Sequence, residues 1–250
     1  MARKERTRGL GEWSRGFTLA ELLVVVSIIC LMMSLLLPSL TRAQRQAEQT
    51  HCLANQHQLI LSWLQYALDH DDLLLDPNSL QSGLQPYVQM REVFVCKSVA
   101  EGPTAQGADS YSLSNTMGGR FRDGVHPFLK LHLVSHPTEK LVLIDTEHGC
   151  TEGFWPVMLD RNQWVWRPWG GMQGLTARHN NGCNAAFADG HGEYILWRDD
   201  RTRKFIKGLI ADVKQASSDN SDLTHMVDRV AHGWNSPSTT ATEEVRPDGR

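Results

Sequence analysis

The chain is predicted to be an α+β protein in which one long N-terminal helix packs on a mainly antiparallel β-sheet domain. Three observations predict this. Residues 17–40 form an apolar run interrupted by a single charge, Glu21. Helical periodicity then continues to about Asp69. Much later, two short apolar segments flank Asp189-Gly190, a strong hairpin-turn signal. The 250 residues, 41% hydrophobic and 21% charged, suffice for one or two domains of ordinary globular balance.

The element order starts with charge. Residues 1–16 hold Arg3, Lys4, Arg6, Arg8 and Arg15 against Glu5 and Glu12, so the remainder is more acidic than the net charge of −3 suggests. An acidic body without a basic stripe excludes nucleic acid as the main partner, because such binding needs Lys and Arg to neutralise phosphates. As a helix, residues 17–40 would be about 36 Å long, enough to cross a hydrocarbon core of roughly 30 Å. The positive charges precede the run, which places the N-terminus in the cytoplasm and exports the body.

An ordinary secretory signal has a small-residue cleavage site after its apolar region. Here Thr41-Arg42-Ala43 is a poor version of that site, and the small residue Gly16 stands before the run instead. Cutting at Gly16 removes the basic leader and leaves the membrane segment on the mature chain.

Gly16-Phe17-Thr18-Leu19-Ala20-Glu21, a basic leader and a long apolar run together resemble type IV pilins and the pseudopilins of type II secretion systems. The resemblance implies cleavage between Gly16 and Phe17 by a prepilin peptidase and methylation of the Phe17 amine by the same peptidase/methyltransferase. It also implies that Pro38 is the helix-kinking proline such subunits often carry. The partners it implies are other pilin-like subunits, secretion-system inner-membrane components and membrane lipid. Farther along, His179 followed after nine residues by Asp189-Gly190 resembles a C-terminal pattern of a large bacterial group of prepilin-type proteins. The stretches CLANQHQLILSWLQYALDHDD and YVQMREVFVCKS resemble that group as well. This second likeness implies architecture and membership of that group, and little chemistry.

A carboxylate inside a membrane helix is a functional-site candidate by default. Phe17 and Glu21 are four residues apart and share a helix face. The new amine of one subunit would pair with Glu21 of its own chain or of a neighbour, setting axial register. The competing explanation is a plain signal anchor whose Glu21 reaches the cytoplasmic surface.

Beyond the membrane segment, Ala43, Ala47, Thr50, Ala54, His57, Leu61, Leu64 and Leu68 alternate steps of four and three, one stripe of a helix. The larger residues from Leu61 onward are expected to seat the domain's sheet, the small ones to suit packing between subunits. Asp69, Asp71, Asp72 and Asp76 follow without an EF-hand's glycine and distal glutamate, as expected of a solvated helix terminus and turn.

Residues 80–150 read as short elements between turns, with Lys140–Asp145 (KLVLID) a buried strand. Asp145, Glu147 and His148, at and just after its end, stand where an active site could form, without a partner that sequence can name. Trp155, Trp164, Trp166 and Trp169 crowd one window, as core, subunit interface or ligand platform. Cys183–Ala188 and Glu193–Trp197 make the two strands of the hairpin. From about Ala216 the composition turns to Ser, Thr, Asp, Asn and Pro, the mark of a flexible tail.

Cys30 lies in the apolar run. Cys52, Cys96, Cys150 and Cys183 allow three pairings in an oxidising compartment, and sequence does not choose among them. Cys52 and Cys96 stand as disulfide candidates, with the pairing left open.

The expected organisation is therefore a cleaved leader (1–16), a transmembrane assembly helix (17–40), its amphipathic continuation (41–70), an exported domain (71–215) and a flexible tail (216–250). The expected role is that of a processed, methylated inner-membrane subunit, with no catalytic residues, no cofactor and no assigned metal. The alternative is an anchored binding module for carbohydrate, peptide or metal. It would use the Trp-rich window and the His179/Asp189 region, with His179, Asp189 and His191 as possible metal ligands.

Overall fold

The computed structural model describes residues 17–99, 110–119, 127–146, 153–154, 157–160, 163–166, 175–210 and 212–230. The chain divides into two units, Met1–Gln44 and Arg45–Arg250. Helix α1 (Leu19–Asp69) begins in the first and ends in the second, with Pro38 inside it.

In the first unit the apolar residues of α1 up to Leu40 are all exposed. The hydroxyls of Ser27, Ser34, Ser39 and Thr41 donate back to carbonyls three or four residues earlier, at 2.7–2.9 Å. Each polar group on this stretch thus finds its acceptor on the helix itself, as a lipid environment demands.

The second unit is built on a four-stranded antiparallel sheet in the order β1-β2-β5-β6. Its strands are β1 (Tyr111–Leu113), β2 (Leu141–Asp145), β5 (Gly182–Phe187) and β6 (Gly192–Leu196). A separate hairpin joins β3 (Val157–Asp160) to β4 (Gln163–Trp166). All of β2 and β5 is buried, because both sheet faces are covered. On one face Leu59, Ile60, Trp63 and Ala67 of α1 pack with Leu113, Val142, Leu143 and Ala186. On the other, Leu141, Ile144, Phe187 and Ile195 pack with Trp166, Trp197 and the C-terminal helices. A register shift between Leu141 and Leu143 explains why neighbouring Val142 and Leu143 share a cluster.

The buried face of α1 is not the predicted stripe. It consists of Cys52, Asn55, Gln56, Leu59, Ile60, Ser62, Trp63 and Ala67, whereas Thr50, Ala54, His57, Leu61 and Leu68 are exposed. Of the larger residues expected to seat the sheet, Leu64 packs partly buried against the core, whereas Leu61 and Leu68 are 49% and 69% exposed and do not. The buried face combines apolar Leu59, Ile60, Trp63 and Ala67 with Gln56, whose side chain bonds to Asp145 and Asn184 of the sheet.

Helix α1 ends as a solvated turn. Asp71 and Asp72 take positive φ values of 52° and 69°. Asp72 Oδ2 accepts from the His132 backbone N–H at 3.0 Å and pairs with its ring. These bonds from His132 hold the Asp72 carboxyl below the usual carboxylate range.

The predicted flexible tail is wrong over its first part. Beyond the short helix α2 (Leu80–Leu84) and the sheet, helix α3 (Asp200–Ile206) is followed by α4 (Val213–Ser217) and α5 (Ser221–Val230), which bury Ala216, Leu223, Met226 and Val230. Asn220 caps α5, its Oδ1 accepting from the N–H groups of Asp222 and Leu223 at 2.9 and 3.1 Å. Asp222 in turn accepts from the N–H groups of Arg198 and Asp199. Residues 231–250 lie outside the described residues.

The β5–β6 hairpin turns through Asp189-Gly190 as predicted, with Gly190 at φ +95°. A Cβ there would have room, 3.5 Å from Leu64, but L-residues resist this backbone. Gly190→Ala should therefore lower unfolding free energy by about 1–2 kcal/mol, read as a lower urea midpoint at unchanged slope.

Candidate functional site

Two places carry the sequence-predicted residues, and each lies within its own unit. The first is the start of α1. Gly16 lies outside the described residues, and Phe17 is exposed. Thr18 and Glu21 bond reciprocally. Glu21 Oε2 accepts from the Thr18 N–H at 2.9 Å and from its hydroxyl at 2.7 Å, and the Glu21 N–H donates to Thr18 Oγ1 at 3.3 Å. This is a capping box: Thr18 and Glu21, three apart, each satisfy an orphan donor of the helix start. The Thr-x-x-Glu spacing was present in the sequence as a signal for it.

The second place is a buried polar cluster in the seam between α1 and the sheet. Asp145, the last residue of β2, is fully buried. Its Oδ1 accepts from Gln56 Nε2 at 2.7 Å, and its Oδ2 from the Asn184 backbone N–H at 2.8 Å. Gln56 also donates to the Asn184 carbonyl at 3.1 Å, and Asn184 Nδ2 reaches back to the Gln49 carbonyl at 3.1 Å. Two strands and α1 are thus tied to one carboxylate.

His179 completes this cluster. Its Nε2 lies 3.3 Å from Asp145 Oδ2 and 3.3 Å from Cys96 Sγ. The ring is placed by a short bridge, His179 N–H to the Gly182 carbonyl and back, and by the Tyr194 hydroxyl donating to the His179 carbonyl at 2.8 Å. Cys52 and Cys96 are joined in a disulfide, with Cα atoms 5.3 Å apart. Next to it, the Tyr111 hydroxyl donates to the Cys52 carbonyl at 3.4 Å. Burial pushes the Tyr111 phenol up, and the charge of Asp145 acts in the same direction. Burial and Asp145 likewise raise the Cys183 thiol, so this free, buried cysteine is inert.

The residues of the His-x9-Asp-Gly pattern do not meet. His179 stands at the open end of the β5–β6 hairpin and Asp189-Gly190 at its turn, with all of β5 between them. Asp189 Oδ1 accepts from the His191 backbone at 3.1 Å and contacts its Nδ1 at 2.5 Å, and the His191 ring stacks on Phe187. The supposed His179/Asp189/His191 ligand set is therefore not assembled. Instead His179 meets Asp145, which sequence reasoning left without a partner.

Glu147, His148, Cys150, Trp155 and Trp169 lie outside the described residues. Trp166 is fully buried, edge-on to Trp197 with ring centroids 6.3 Å apart, a core role. Trp197 Nε1 donates to the Thr176 carbonyl at 2.8 Å.

The chain matches the family model of the prokaryotic N-terminal methylation motif over residues 14–37. That motif is the prepilin-type signature of type IV pilin-like proteins. Comparison with the curated proteins and with the solved structures returns no match. The motif implies processing by a prepilin peptidase and assembly with other pilin-like subunits. Together with the apolar start of α1, it marks a single-pass membrane anchor.

Replacing Asp145 with Ala strands the donors of Gln56 and Asn184, and should cost about 3–5 kcal/mol of stability by chemical denaturation. The disulfide closes a 44-residue separation. Reducing it should lower stability by about 2–4 kcal/mol, measured as the difference between oxidised and reduced denaturation curves.

Proposed function

We propose that the chain is a pilin-like structural subunit, not an enzyme, that works in a type II secretion or type IV pilus-like system. Prepilin peptidase cuts between Gly16 and Phe17, and the Phe17 amine is methylated. The subunit sits in the inner membrane with its leader in the cytoplasm and the second unit exported. The observation that carries this reading is the methylation motif over residues 14–37, running into the apolar part of α1 whose side chains up to Leu40 are all exposed. Within the second unit, the exposed row of Thr50, Ala54, His57, Leu61 and Leu68 leaves helix surface open to helices of neighbouring subunits.

In this account Glu21 has two successive partners. Before assembly, the Thr18 capping box holds it. In the filament, the amine of a processed subunit pairs with it and sets register, a use of polar groups in apolar surroundings attested elsewhere. Pro38, within α1, lacks a backbone donor and locally loosens the helix between its membrane and soluble parts.

Mass spectrometry of the mature chain should find N-methylated Phe17 as the first residue. An intact Met1, or a start near Ala43, would overturn the assignment. Glu21→Ala should insert normally and fail to enter filaments, whereas Thr18→Val, which removes only the cap's hydroxyl, should still assemble. Equal assembly of the two variants would show that Glu21 serves the cap alone.

A further inference from the structure

We infer that the buried cluster of Cys52, Cys96, His179 and Asp145 is a zinc site when its two cysteines are reduced, so that the same pair serves as a disulfide or as metal ligands. The donor atoms of Cys52, Cys96 and His179 all lie within 4.8 Å of one another. Tetrahedral ligands about 2.0–2.3 Å from zinc stand roughly 3.3–3.8 Å from each other. His179 Nε2 is 3.3 Å from Cys96 Sγ and 3.3 Å from Asp145 Oδ2, so two edges of that tetrahedron already exist; Asp145 stands outside the set of mutually close donors and is the ligand that must move toward the sulfurs. Reduction frees the sulfurs to part to the same spacing.

The donor set is chemically apt. Two thiolates, one imidazole and one carboxylate suit zinc better than the all-oxygen sites of calcium or magnesium. All four residues are at most 3% exposed. They come from α1, the segment after residues 91–94, the end of β2 and the loop before β5, the enclosed arrangement of a structural site. Bound zinc would leave one net negative charge among these ligands. Arg178 adjoins His179 and donates to the Thr146 carbonyl next to Asp145, bringing a compensating cation, and its Nη1 has no partner among the described residues. Gln56 and the Asn184 backbone already orient the carboxylate, and such outer contacts strongly influence metal affinity.

The balance is simple. A dithiol or phosphine reductant delivers two electrons, and two protons complete the Cys52 and Cys96 thiols. Zinc then displaces both protons, so binding weakens as pH falls. Oxidation by a disulfide oxidant would remove two electrons, restore the Cys52–Cys96 bond and release the metal.

The test is titration of the full-length chain in detergent with cobalt and then zinc, oxidised and after reduction by a phosphine, which adds no competing thiol. The reduced chain should bind one ion, giving a thiolate-to-cobalt charge-transfer band that zinc abolishes. The oxidised chain should give no band. His179→Ala should weaken zinc binding at least about tenfold, and Cys183→Ser should leave it unchanged. No band in the reduced chain, or one that survives Cys52→Ser, would overturn the inference. Because losing a buried ligand also disturbs packing, a second readout uses the unsubstituted chain. Zinc should raise the thermal midpoint of the reduced form and not that of the oxidised form, and an unmoved reduced midpoint would equally overturn it.

Discussion

Asp145 is a carboxylate with no exposed surface at the end of a fully buried strand. A buried anion is tolerated only where donors replace the water it has lost. Those donors are Gln56 from α1 and the backbone of Asn184 from β5, with His179 Nε2 beside them. Satisfying one group therefore determines which face of α1 meets the sheet, how β5 aligns with β2, and where the loop before β5 must pass. The disulfide lies at the same point, so covalent and polar restraints converge on a small part of the second unit.

That constraint also separates what was legible in the sequence from what was not. Strand β2 and the β5–β6 hairpin were readable because an apolar run bounded by turns, and Asp-Gly between two such runs, need only local information. The extent of α1 was equally readable, to within two residues at its start. Its rotation was not. Counting apolar residues selected the row containing Leu61 and Leu68, while the buried row depends on Gln56 and Asn55, whose value comes from acceptors far away in sequence. Helix α5 was missed for a related reason. Its Ser, Asp and Asn residues suggested a solvated tail, yet Asn220 caps the helix, Asp222 accepts from the backbone of Arg198 and Asp199, and Leu223, Met226, Val227 and Val230 keep the i, i+3, i+4, i+7 spacing.

The functional residues show the same division. His179 and Asp189 are linked as a written pattern, but a hairpin places its entry and its turn at opposite ends of a strand. At about 3.3 Å per residue, the six residues of β5 carry them some 20 Å apart. The pattern is better understood as two separate requirements of one hairpin. His179 supplies a buried imidazole at the open end. Asp189-Gly190 supplies the turn, with Asp189 accepting from the His191 backbone and Gly190 taking the positive φ.

Glu21 and Asp145 are carboxylates in surroundings where apolar residues would be expected, and they differ in how they are satisfied. Asp145 is enclosed, with acceptor sites filled from distant segments, so its partners are fixed by the fold. Glu21 is exposed and, among the described residues, its carboxylate bonds to Thr18, one turn away. A carboxylate satisfied locally on an uncovered helix retains capacity for another donor, since it can accept at both oxygens. In the processing proposed above, the amine released at Phe17 would adjoin this same turn and would exist only once Gly16 is cut away. A cap that holds Glu21 without enclosing it would, under that proposal, keep the helix start intact in the precursor and leave the carboxylate open to that amine afterwards. A fully enclosed Glu21 would support the helix equally well and be unable to read whether processing had occurred.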